Sequence, residues 1–376
     1  MKDNDKKPKS GTRLMSIDAL RGFDMFFITG GATLIAGLCS ALGWGDGWLA
    51  RQMHHVEWAG LAHHDTIFPL FLFLAGVSWP FSLASQIGRG CTTGQIVRKV
   101  IVRMAILFVL GMFCGGILAF RPTFRIPSVL GQIGLSWGLA AFVFMAVKRL
   151  RTRILVVAGL LVGYWAFLAF TPVPGAPEGT IAYSPEGNIV SWLDRTLMPN
   201  HIYKTGRFDP ESLFLTPAGV ALALLGMLAG TVLRNDKWTG SRRVAVLGGA
   251  SALTLALGLV FVYGLGVPVV KQLWTSSFVL VAAAYSYAML AVFHWIVDVK
   301  GWSRWSFYFR VIGMNSITIY MLMNIGVTGA MQRFFFSGVI DSCAENWRWF
   351  AGGCFTQLTC WLVLYFFYRR KIFLKV

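Results

Sequence analysis

Residues 66–87 read TIFPLFLFLAGVSWPFSLASQI, a stretch without one charged side chain, preceded by His63-His64-Asp65 and followed by Arg89 within two residues. A helix of about 20 apolar residues crosses the ~30 Å hydrocarbon layer of a bilayer. The stretch is continuously apolar and shows no period-two alternation, which selects a membrane helix over a barrel strand. Nine further runs read the same way, over 19–43, 100–119, 128–147, 154–171, 213–233, 244–264, 273–297, 306–326 and 349–368. The expected fold is an all-α polytopic membrane bundle of about ten helices, forming a single domain over 1–376.

Composition supports this reading. Of 376 residues, 56% are hydrophobic and 13% charged, against about 25% charged in soluble domains. Mean hydropathy is +0.62. Intrinsic disorder, which needs low hydrophobicity and high charge, is excluded, and so is a water-soluble globule. The net charge of +18 would suggest nucleic acid in a soluble chain. In a membrane chain it reports orientation, so the expected partner is the lipid bilayer and not nucleic acid.

With the polar segment 1–15 in the cytoplasm, 25 of the 34 Lys and Arg fall in inner segments. Among them are Lys2, Lys6, Lys7, Lys9, Arg13, Arg21, Arg103, Arg310 and Lys375, while Arg51, Arg121, Arg125, Arg195, Lys204 and Lys271 lie outside. The positive-inside rule then places both termini in the cytoplasm. The start is too hydrophilic for a cleaved signal. The six cysteines are scattered without a CxxC pair and read as small apolar residues rather than a zinc site or disulfide framework.

Polar chemistry collects in the outer loops. Loop 44–65 carries His54, His55, Glu57, Trp58, His63, His64 and Asp65, and loop 172–212 is the longest connection, ending in Phe208-Asp209-Pro210-Glu211. Asp209 fits an N-cap and Pro210 a first helical position. The histidines admit three readings. They are solvated, they hold a metal although their spacing fits no zinc motif, or one is a general base with Asp65 orienting the imidazole. Within the first span, Asp18, Arg21 and Asp24 stand at i, i+3 spacing. They form either an ion-paired clamp or a pocket in which Arg21 meets an anionic ligand.

Several blocks resemble the heparan-α-glucosaminide N-acetyltransferase family. They are Ser16-Ile17-Asp18-Ala19-Leu20-Arg21-Gly22, His55-Val56-Glu57-Trp58-Ala59-Gly60-Leu61 followed by Asp65-Thr66-Ile67-Phe68-Pro69, and Arg125-Ile126-Pro127. Phe208-Asp209-Pro210-Glu211, Asp298-Val299-Lys300-Gly301 and Gly313-Met314-Asn315-Ser316 complete the series in family order. The resemblance implies a membrane acetyltransferase that takes acetyl-CoA as co-substrate from the cytoplasm. The acceptor is an amino sugar or glycan on the extracytoplasmic side.

It places the active-site histidine at His55, as base or acyl-accepting nucleophile, with Asp65 beside it. Arg21, Arg103 and Arg310 are the candidates for the CoA phosphates, and Asn315 and Ser316 for donors to the oxyanion. Trp58, Glu57 and Asp209 are the candidate acceptor contacts, and no metal is called for. The animal enzymes carry an Asn where this chain has Thr29-Gly30-Gly31, and they have a further N-terminal domain. The expectation is a bacterial relative in the inner membrane, with a homodimer implied by the resemblance alone. Two rival readings are a secondary transporter of a sugar or organic anion and a relative that binds glycan without turnover.

Overall fold

The computed structural model describes residues 14–120, 123–177, 179–203 and 206–373. Most of the polar segment 1–15, together with Arg121, Lys204 and Lys375, lies outside the described residues. Thirteen helices carry the fold among the described residues, short 3₁₀ and single-turn pieces apart: α1 (Met15–Ala41), α2 (His63–Gly88), α3 (Thr93–Cys114), α4 (Val129–Ala146) and α5 (Leu150–Phe170), then α6 (Ile189–Leu197), α7 (Leu213–Leu233), α8 (Gly240–Gly264) and α9 (Ser276–Val299), and finally α10 (Phe307–Gly313), α11 (Ser316–Asn324), α12 (Val327–Ser342) and α13 (Glu345–Arg369). No strand occurs among the described residues beyond an isolated Ala59–Val270 bridge. The six cysteines are free.

Eight of these helices are long and apolar enough to cross a membrane: α1, α2, α4, α5, α7, α8, α9 and α13. Two of the ten expected runs differ. The run over 100–119 belongs to α3, which starts earlier, carries Arg98, Lys99 and Arg103, and ends at Cys114. The run over 306–326 is not one helix, because Asn315 leaves helical geometry (φ −129°, ψ 36°) and separates α10 from α11. Hydropathy registers apolarity but is blind to a backbone break inside an apolar run.

Burial sorts the helices. In α7 and α9 72% of the apolar window is enclosed by protein, against 17% in α8. The centre is therefore α7 and α9 with α1, α2 and α4 around them, and α5 and α8 lie at the rim. Helices in a bilayer associate by close packing of small residues rather than by hydrophobic burial. Gly226 and Gly230 of α7 supply this contact: a Cβ at either would collide with the carbonyl oxygen of Phe73 or Val77 on α2.

α1 is interrupted by a π turn over Phe27–Gly31. Gly30 has φ +118°, and a Cβ there would lie 3.2 Å from the Thr356 side chain of α13, so both backbone and space call for glycine. Beside it Thr29 is buried and 3.1 Å from Gln357 Oε1. The Thr29-Gly30-Gly31 stretch thus packs against α13.

The end of loop 172–212 departs from expectation. Asp209 does not cap the following helix; Ser212 does, its Oγ accepting from the Phe214 amide at 3.1 Å, and Pro217 stands at the start of the α-helical part of α7, after the 3₁₀ turn Leu213–Leu215. Asp209 is buried, and its carboxylate accepts from Arg125 Nε (2.9 Å) and from the amides of Tyr203 (2.8 Å) and Glu211 (2.9 Å). A carboxylate already bound to a guanidinium is not available to a helix end.

Candidate active site

Asp65 organises the site. It lies in the first turn of α2, fully buried, and its Oδ2 accepts from the amides of Ala62 (3.0 Å) and Val56 (3.3 Å). Those bonds fold residues 56–62 back over the helix start. The second carboxylate oxygen, Oδ1, is 2.7 Å from His55 Nδ1. A carboxylate only accepts, so the network assigns the imidazole proton to Nδ1 and leaves the Nε2 lone pair for chemistry. Asp65 is enclosed while the His55 side chain is 50% exposed. The pair is anchored below and open above.

A third member comes from far along the chain. Lys271, in the turn between α8 and α9, places Nζ 3.0 Å from His55 Nδ1, 3.4 Å from Nε2 and 3.6 Å from Asp65 Oδ1. Gly60 N to Val269 O (2.8 Å) and Gln272 Nε2 to Glu57 O (3.0 Å) fasten its turn to the His55 loop. Burial pushes the Lys271 ammonium below the ordinary lysine value, while the carboxylates of Glu211 and Asp65 oppose that shift. The sequence reading placed Lys271 among the outer cations without a chemical role. Its one signal is a lone cation in the apolar run Val267 to Leu273.

The other histidines diverge. His64 lies with its ring centroid 4.4 Å from that of His55. His63 Nε2 is 3.0 Å from the Tyr285 hydroxyl, and His54 faces Trp349. Among the described residues no group of three or more His, Cys, Asp and Glu side chains is placed to hold a metal ion.

His54, His55, His64, Lys271 and Glu211 line one end of a cavity of about 450 Å³ whose other walls are apolar and include Met25, Phe71 and Ile133. Neither Glu57 nor Trp58 lines it. Glu57 is exposed, and Trp58 donates its indole N–H to the Tyr183 carbonyl (2.7 Å) and packs on Phe208, tying the His55 loop to loop 172–212. Asp209 is clamped as described, and its neighbour Glu211, also bonded to Arg125, is the acidic residue that reaches the cavity.

The candidate anion contacts gather near the other end of the bundle. Arg21 donates to Ser78 Oγ (3.0 Å) and lies 3.6 Å from Asp18, so the expected i, i+3 pair forms on that side. Asp24 is buried, and its Oδ2 has no partner among the described residues. The Arg103 guanidinium sits 4.3 Å from the centre of the Trp137 ring, which packs edge-on against Trp79 beside Ser78. Arg310 reaches Met15 Sδ (3.1 Å), and Gly313 packs on the backbone of Asp18 and Gly22. That contact holds Asn315 and Ser316 level with Arg21; Asn315 donates to the Ile372 carbonyl (3.0 Å). Thirteen residues of α2, about 20 Å of helix, separate Ser78 from Asp65. The structure therefore joins Arg21, Arg103, Arg310, Asn315 and Ser316 at one level and removes the last two from His55.

No family model matches the chain. Over 97% of its length it is 27% identical to heparan-alpha-glucosaminide N-acetyltransferase of Homo sapiens and 26% identical to the enzyme of the same name from Mus musculus. The chain spans about 60% of the length of these curated relatives. Along nearly all of its own length, then, it is similar to two mammalian proteins named as N-acetyltransferases of a glucosaminide.

Proposed function

We propose that this multi-pass protein is a transmembrane acyltransferase of a bacterial inner membrane, moving the acetyl group of cytoplasmic acetyl-CoA to an amino sugar or glycan on the extracytoplasmic side. The observation that carries the reading is the His55–Asp65–Lys271 cluster, whose His55 and Lys271 line a largely apolar cavity. His55 Nε2 takes a proton from the acceptor amine as its nitrogen attacks the thioester carbon. The N–C bond forms, the C–S bond breaks, and the proton passes from the imidazolium to the departing CoA thiolate. Asp65 holds the tautomer and stabilises the imidazolium, as carboxylates do in hydrolytic triads. Lys271 Nζ, 3.4 Å from Nε2, donates to the developing oxyanion. This replaces the expectation that Asn315 and Ser316 serve as those donors.

The nucleotide end of CoA is assigned to the Arg21 level. Arg103 Nε and the indole nitrogens of Trp79 and Trp137 are buried donors without an acceptor among the described residues. A buried donor left unsatisfied costs roughly 1–3 kcal/mol, which a polyanionic ligand would relieve. The cavity lining reaches Met25, Phe71 and Ile133. Arg21 and Trp137 follow one helical turn further on, and Ser78 two turns further. The pantetheine arm would follow that line between α1, α2 and α4.

The test is release of free CoA from acetyl-CoA and glucosamine by purified protein in proteoliposomes. His55→Ala should abolish it, since general base catalysis supplies typically ~10²–10⁴-fold. Turnover unchanged in that variant removes His55 from its role. Sugar uptake without CoA release would instead establish the transporter.

A further inference from the structure

A second cavity, of about 930 Å³, opens beside the first and shares Val129 and Tyr320 with it. Its walls are of another kind. Asn200, Asn324, Thr123 and Tyr203 present amide, hydroxyl and ring surface, and Gly115 and Gly116 expose main chain. Such a lining suits a polyhydroxylated ligand, and the volume lies within the ~300–1,000 Å³ of small-molecule sites.

The boundary between the cavities is an ion cluster. Arg125, which lines the second cavity, donates to both Asp209 and Glu211, and Glu211 lines the first. Burial alone would lower the Arg125 value; the two carboxylates reverse that and hold the guanidinium firmly protonated. At this junction two cations, Arg125 and Lys271, face three carboxylates, Asp65, Asp209 and Glu211. Arg125 takes Glu211 Oε2, leaving Oε1 without a hydrogen bond among the described residues. Arg195, which also lines the second cavity, donates to the Arg207 carbonyl (2.6 Å). The three carboxylates thus lie where the wide cavity meets His55, and a ligand with a neutral body and one cationic tip complements them.

We propose that the second cavity is the acceptor subsite, holding the body of a glycan, and that Glu211 recognises the terminal sugar amine as an ammonium, which releases one proton to solvent to give the neutral amine that attacks while His55 takes its second proton. This rests on the acyl-transfer reading and goes beyond it, naming the entrance and the group that selects an amine over a hydroxyl.

The test needs no turnover. Binding of glucosamine and of glucose to the purified protein in nanodiscs is titrated at pH 6, where the sugar amine is protonated. A hydrogen bond to a charged group is worth roughly tenfold in affinity, so glucosamine should bind about tenfold tighter than glucose. Glu211→Gln should bring the ratio near one. Asn324→Trp, which fills the rim without touching the ion cluster, should weaken both sugars. Equal binding by the wild type, binding of neither sugar, discrimination retained in Glu211→Gln, or undiminished binding in Asn324→Trp overturns the proposal. Loss of CoA release with discrimination intact would refute the acyl-transfer reading alone.

Discussion

The two levels of the bundle marked by Asp65 and Ser78 along α2 are built to opposite rules. Around His55 the charged groups bind one another: Asp65 receives two backbone amides and an imidazole, and Lys271 lies over that imidazole. Around Arg21 three buried donors, Arg103 Nε, Trp79 Nε1 and Trp137 Nε1, have no partner among the described residues. Internal pairing fixes geometry before a reactant arrives, as a proton-transfer site requires. Unpaired donors gain their partners only from a ligand. Under the proposed function, the first level is the one for chemistry and the second the one for an anion.

Five substitutions break or sharpen this contrast, beginning with the largest effect. Asp65→Asn should lower kcat by roughly 10³–10⁴ at unchanged acetyl-CoA KM, because an amide no longer enforces the Nδ1–H tautomer. Single-turnover CoA release checks this. Lys271→Met should lower kcat by about 10²–10³, the usual loss for one oxyanion donor.

The pH profile adds a sign to that second substitution. Lys271 donates only while protonated, and its value lies below the ordinary one, so activity falls as pH rises through that lowered value. Lys271→Arg should carry the alkaline limb upward, and a limb that stays in place would remove Lys271 as its source. At the other level Arg103→Gln should raise the acetyl-CoA KM roughly tenfold with kcat held, consistent with one lost charge-assisted bond to phosphate.

The smallest effect concerns the frame behind His55. Asp194 of α6 is fully buried, accepts from Ser212 Oγ (2.7 Å) and has its carboxyl pushed up to about 7 by burial and by nearby Asp209. Its folded-state value exceeds its unfolded one, so the stability it contributes is complete below the unfolded value and is lost as pH rises through about 7. Thermal melts at pH 5 and pH 8 should therefore show the wild type losing ground to Asp194→Asn as pH rises.

The helices were legible where apolarity alone decides, as in 66–87, which became the body of α2. Asn315 was not legible as a break, because the residues on both sides of it remain apolar. His55 and Asp65 are ten residues apart and could be paired from their loop. Lys271 is 216 positions from His55 and meets it only after α8 and α9 have turned back. Asp209-Pro210 looked like a helix start because local preference favours that reading. Arg125, 84 positions away, draws the carboxylate elsewhere.

The glycine contact between α2 and α7 has one more consequence. α2 carries Asp65 at one extremity and Ser78 thirteen residues later, and its main chain rests directly against that of α7 at Phe73 and Val77. A rod braced in this way neither stretches nor slides, so under the proposed function it would act as a gauge block between nucleotide grip and reaction point. A donor of full length would be held in register by both, whereas a truncated thioester without its nucleotide would meet the imidazole with nothing to set its depth.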